Sequence, residues 1–140
     1  MRQPLFISLY TSACKENYDN SFYDEGLGIY GDELGHFLHK IEGNKINGID
    51  LLYVKNKDGM HLDGIEDVAG SIIFANCNNI IVERMNRLSS AEMGIESAFC
   101  SNITIEKCTF SYNDFGIYVY KSTENVVIKN NTFLGNRDAG

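Results

Sequence analysis

The apolar positions of this chain recur on two rhythms, one of two residues and one of 23. In Asn79-Ile-Ile-Val-Glu83, Asn102-Ile-Thr-Ile-Glu106 and Asn125-Val-Val-Ile-Lys129 alternate positions are apolar, and each stretch starts 23 residues after the last. Period two sets Ile80 and Val82, Ile103 and Ile105, and Val126 and Ile128 on one face of a strand. A second set of strands is predicted at Ile72 to Ala75, Ile95 to Ala98 and Ile117 to Tyr120. A glycine opens each of these units: Gly70, Gly94 and Gly116, with Gly140 next, at spacings of 24, 22 and 24. Short third pieces, Thr109-Phe-Ser and Thr132-Phe-Leu, close the last two units. A fixed period in this range marks stacked supersecondary units.

Three short strands per unit with no helix between them exclude a doubly wound sheet and predict a coil that winds once per repeat. One coil cannot bury its apolar face. Stacking in register places like on like and pairs backbone groups with the coils above and below. The same stacking predicts an aromatic column at Phe110 and Phe133 and an amide ladder at Asn79, Asn102 and Asn125, where asparagine also tolerates a left-handed backbone. Cys77 and Cys100, again 23 apart, fall in one column with Thr123. They read as stacked reduced thiols, since the four cysteines form no C-x-x-C pair and free cysteine packs as a small hydrophobe.

The first half of the chain is less regular. Overlaying Leu5 to Gly28 on Gly116 to Gly140 sets Asp19-Asn-Ser-Phe22 on Asn130-Asn-Thr-Phe133. The N-terminus is therefore expected to be another coil and not a leader peptide, despite its apolar patch. Around residues 32–70 an irregular insertion is expected, with Glu33 to Lys40 at partly helical spacing, turns at Ile46-Asn-Gly-Ile49 and Asn56-Lys-Asp-Gly59, and an acidic loop over 58–70.

Composition narrows the function classes. With 12 Lys plus Arg against 19 Asp plus Glu, the net charge is −7 and the cations are scattered, which argues against a nucleic-acid surface. No apolar run approaches the roughly 20 residues of a membrane helix. Thirteen glycines and one proline suggest many tight turns at positive φ.

Residues Cys100-Ser-Asn-Ile-Thr-Ile-Glu-Lys-Cys-Thr-Phe110, Gly116-Ile-Tyr118, His39 to Gly48 and Leu51 to Asn56 resemble the right-handed parallel β-helix of the pectin-lyase-like superfamily, and more narrowly the NosD-type repeats of periplasmic and surface proteins. The resemblance implies an all-β fold: a single-stranded, right-handed parallel β-helix (solenoid) of about five to six coils. Residues 1–140 are expected to form one domain and to be a piece of a longer solenoid, regular over 70–140 and less so over 5–69, with an end open to self-association. It also implies an extracytoplasmic setting and carbohydrate, or another surface polymer, as the partner class.

Candidate sites follow from what the repeat leaves outside its core. The outward column Ile73, Glu96, Tyr118, with Ala75, Ala98 and Tyr120 beside it, offers Tyr118 and Tyr120 to stack on sugar rings and Glu96 to accept from hydroxyls. One carboxylate without a base does not make an acid/base pair, so the expectation is a non-catalytic scaffold or binding module. The alternatives are part of a polysaccharide lyase or hydrolase with its active site elsewhere, or a NosD-like copper accessory protein. His36-x-x-His39, near Glu33, is the candidate copper set. Asp58, Asp63, Glu66 and Asp67 are the candidate calcium ligands, without the usual calcium-loop spacing. No cofactor is expected beyond these two weak ion candidates.

Overall fold

The computed structural model describes residues 7–9, 14–122 and 124–140, so Thr123, and residues 5–6 and 10–13 of the expected first coil, lie outside the described residues. Its strands are β1 (Ile7–Leu9), β2 (Glu16–Tyr18), β3 (Ser21–Phe22), β4 (Leu27–Ile29), β5 (Lys40–Glu42), β6 (Lys45–Ile46), β7 (Ile49–Lys55), β8 (Asp58–Asp63), β9 (Ser71–Ala75), β10 (Asn78–Glu83), β11 (Leu88–Ser89), β12 (Met93–Ala98), β13 (Ser101–Glu106), β14 (Thr109–Ser111), β15 (Phe115–Tyr120), β16 (Glu124–Lys129) and β17 (Thr132–Leu134). The one helical element among the described residues is a 3-10 turn, Leu34–Phe37. The chain is an all-β solenoid of about five turns.

From β7 onward the coils stack as the spacing predicts. Strands β7, β9, β12 and β15 form one parallel sheet, β8, β10, β13 and β16 a second, and β11, β14 and β17 a third. Register places Ile80 on Ile103 on Val126, and Val82 on Ile105 on Ile128. Ile72, Phe74, Ile80, Val82, Leu88, Ile95, Ile103, Ile105 and Phe110 are fully buried in this core. Each such side chain contributes about 1.5–3 kcal/mol relative to exposure. The Phe110 and Phe133 rings stack at 5.1 Å and 11°. Cys77 and Cys100 are free thiols, and the Cys77 amide donates to Cys100 Sγ at 3.3 Å.

The glycines only partly serve the expected purpose. Among the described residues, four glycines have positive φ, against fourteen non-glycine residues. The repeated glycines are there for close approach: a Cβ on Gly94 would lie 2.5 Å from Gly116 O and 2.7 Å from the Phe110 ring.

The expected irregular insertion over 32–70 holds four strands. β5 to β8 all lie within it, and β8 occupies the first half of the expected acidic loop, paired with β10. The first half of the chain departs from the parallel coils, although β6 and β3 extend the β7–β9–β12–β15 sheet beyond β7. β1 pairs with β4, β2 with β5 and β3 with β6, all parallel, but β6 pairs antiparallel with β7 through Asn47-Gly48. The chain thus turns back at this hairpin. The segment around β4 lies over the outward side of β9 and β12, where Leu27, Ile29, Phe37, Ile73, Ala75 and Ala98 make a second buried cluster.

Candidate functional site

The bends leading from the third strand of one unit into the first strand of the next carry an acid two positions before the glycine: Glu92 before Gly94, Asp114 before Gly116, Asp138 before Gly140. Stacking lines the three up. The Phe115 amide donates to Glu92 O at 2.9 Å, and the Asp138 amide to Asp114 O at 2.8 Å. The Asp114 carboxyl neighbours that of Glu92, and Asp138 adds its negative charge nearby. Like charges gathered in this way favour the protonated form of Glu92. Burial, then Asp114, push Glu92 up to about 7, against the opposing effect of the Tyr30 hydroxyl, which donates to Glu92 Oε1 at 2.8 Å. Arg137 Nε lies 3.2 Å from Asp114 Oδ1.

Aromatic rings flank this column. Tyr118 meets Tyr30 edge-on at 6.3 Å and Phe115 edge-on at 5.6 Å, and all three are half-buried. Burial and Glu92 hold the Tyr30 hydroxyl protonated far above the ordinary tyrosine range. The cluster therefore combines hydrogen-bond acceptors, one neutral donor and ring edges at a single partly open place.

Of the residues singled out on the outward column, only Tyr118 takes part in that place. Glu96 is fully buried, because the β4 segment covers the face that the strand pattern leaves outward. Its Oε1 accepts the Ile29 amide at 2.9 Å and its Oε2 has no partner. Burial pushes this carboxyl up to about 8, with the Ile29 amide opposing and Glu92 adding to the rise. Tyr120 packs instead on Phe37 at 5.9 Å and on Phe99 at 6.0 Å, with Lys121 Nζ 5.7 Å from its ring.

The histidines hold backbone. His39 is fully buried; its Nδ1 accepts the Lys15 amide at 3.1 Å and its Nε2 bonds His36 O at 2.8 Å, so both ring nitrogens are engaged. Burial lowers its pKa. His36 Nδ1 accepts the Asp32 amide at 3.1 Å and closes the 3-10 turn. A copper ion at this pair would have to break the His39 bonds.

The proposed calcium ligands divide among other partners. Asp58 Oδ1 accepts from Asn79 at 2.9 Å, and Asp67 Oδ2 accepts the Asp63 amide at 2.9 Å. Among the described residues, His61, Asp63 and Glu83 are close enough to share a metal ion. Arg84 already fills that role: its guanidinium pairs with Asp63 and with Glu83, and it holds the Asp63 carboxyl below the usual range.

The expected asparagine ladder is shifted by one residue at one end. Asn125 donates to Asn102 at 3.2 Å, and Asn102 donates to Asn78, not Asn79, at 3.0 Å. Asn79 and Asn102 do adopt positive φ. Glu92, Asp114 and Asp138 escaped the sequence reading although a signal was present, an acid-x-Gly triplet in each of the last three glycine positions.

No curated protein and no solved structure matches the chain significantly. The right-handed β-helix region does match, over residues 7–140, and the chain belongs to that family.

Proposed function

We propose that the chain is a β-helical scaffold and binding module of an extracytoplasmic surface protein, with carbohydrate held at Tyr118, Phe115 and Tyr30 beside the Glu92, Asp114 and Asp138 column. The observation that carries this reading is the meeting of half-buried rings with stacked carboxyls. Aromatic surface suits the C–H faces of a sugar ring, and carboxylates accept from its hydroxyls. Three acids gather here and Arg137 pairs with one of them, Asp114, an acidic balance that favours a neutral or amino-bearing glycan over a uronate polymer. A second reading, cleavage of a glycosidic bond, is favoured by the partly buried place of Glu92 beside the Asp114 carboxyl, since burial pushes Glu92 up to about 7, the direction required of a general acid.

Titration with neutral, amino and uronic oligosaccharides, combined with an assay for new reducing ends, tests both readings. The expected result is binding of a neutral or amino glycan, weakened about tenfold or more in Tyr118→Ala, without release of reducing ends. Binding indifferent to Tyr118→Ala rejects this face. Release of reducing ends that Glu92→Gln abolishes establishes the second reading.

A further inference from the structure

The seam between the β4 segment and the main sheet buries acids without the partners that buried charge requires. Glu96 is fully buried at the centre of β12, with one oxygen on the Ile29 amide and the other on nothing. Glu25, two residues before β4, is also buried and also has an oxygen without a partner. An isolated carboxylate in an apolar setting is costly, so the fully buried Glu96 either keeps its proton or finds its way to water. The segment that Glu96 holds covers it on this side: Leu27 and Ile29 pack into the second cluster with Ile73 and Ala98.

We propose that residues 27–31 form a flap latched on β12 through the buried Glu96 carboxyl, one oxygen of which holds the Ile29 amide while the other has no partner, and that the flap lifts when this carboxyl gives up its proton. Docking and ionisation compete because the docked flap denies the carboxylate its hydration. The titratable groups around Glu96 are Glu92 on the bend before β12, Tyr30 on the flap, Tyr53 of β7 and its register partner Tyr118 of β15. None of the interactions that shift Glu96 comes from Lys, Arg or His, so nothing compensates its charge. Glu92 acts in the same direction, since its own charge repels that of Glu96.

The sign follows from the raised value in the docked form. Below the ordinary carboxyl range both docked and lifted states carry the proton, and docking is at full strength. As the pH rises through that range towards about 8 the lifted state loses the proton first, and docking weakens throughout that window. The flap includes Tyr30, so its lifting would also disperse the ring cluster at Tyr118, but the inference does not depend on any ligand there.

Hydrogen exchange of the Ile29 amide in the whole chain reads the latch directly. After correction for intrinsic rates, its protection is expected to fall on the order of tenfold or more between about pH 6 and about pH 9, while Ile103 and Ile105 in β13 keep theirs. Glu96→Gln retains an acceptor for Ile29 and cannot ionise, so its protection should be flat across the same range. A flat wild-type profile, an equal fall at Ile103, or an unchanged slope in Glu96→Gln overturns the proposal. If Glu96→Gln fails to fold, the wild-type comparison of Ile29 with Ile103 decides it alone.

Discussion

The residues that most tightly specify the stack are asparagines inside it. Asn113 is fully buried; its Nδ2 donates to Leu88 O at 3.0 Å and its Oδ1 accepts the Ala91 amide at 3.0 Å, both one coil earlier. Asn44, Asn131 and Asn136 repeat the pattern, each giving its Nδ2 to a carbonyl of the preceding coil and taking an amide from it. Removing such a side chain orphans a buried donor and a buried acceptor at roughly 1–3 kcal/mol each. Asn113→Ala should therefore lower stability by on the order of 3 kcal/mol in urea denaturation, whereas Asn125→Ala, on the exposed ladder, should change it by under about 0.5 kcal/mol. Equal losses would show that the buried clamp carries no special weight. The last step of the exposed ladder goes to Asn78 and not to the expected Asn79, but its Asn102–Asn125 step was legible in the sequence because both residues sit at the head of apolar alternation. The clamps were not, because Cys108 stands one coil before Asn131 and breaks that column, and because partners 22 to 27 residues apart leave no local pattern.

Among the elements, the β6–β7 hairpin separates what was read correctly from what was not. The turn at Asn47-Gly48 was legible, and both residues have positive φ, 51° and 81°. Its consequence was missed: a two-residue loop can join only antiparallel neighbours, whereas a parallel coil needs a much longer return. Lys45 therefore pairs with Asp50 and Ile46 with Ile49, and the coils before the hairpin, although β6 and β3 extend the same sheet, cannot continue the parallel winding. They fold onto its flank, which is why Glu96 is buried and Tyr120 is covered. Outward-facing positions were deduced from strand period alone, and the period does not say whether another segment of the chain lies on that face. No atom lies within 4 Å of a Cβ placed on Gly48, so any cost of substitution there is conformational. Gly48→Val should destabilise by about 1–2 kcal/mol, and Gly48→Asn by clearly less, since asparagine visits left-handed backbone readily. Thermal melts of the two variants check this, and equal losses would mean that the left-handed turn does not direct the reversal.

At the scale of the molecule, two cores share one sheet: the interior of the main coils on one side of β9 and β12, and the cluster under the flap on the other. A solenoid distributes stability through nearest-neighbour contacts, so a loss in one coil is felt mainly by the coils that touch it. Phe110 and Phe133 test that directly, because they occupy the same column at different depths. Phe110 lies between Leu88 and Phe133 and is fully buried, whereas Phe133 is 41% exposed. Phe110→Ala should cost about 3–5 kcal/mol by cavity formation and lost burial, and Phe133→Ala distinctly less. Hydrogen exchange should locate the Phe110→Ala loss in β11, β14 and β17 and their connected strands, leaving the β2–β5 pair in the N-terminal coils near its original protection. If protection instead drops uniformly from β2 to β17, the two cores unfold as one cooperative unit. The flap at Glu96 would then be unable to open without the rest, and the coil-by-coil account of this chain would have to give way to a single two-state fold.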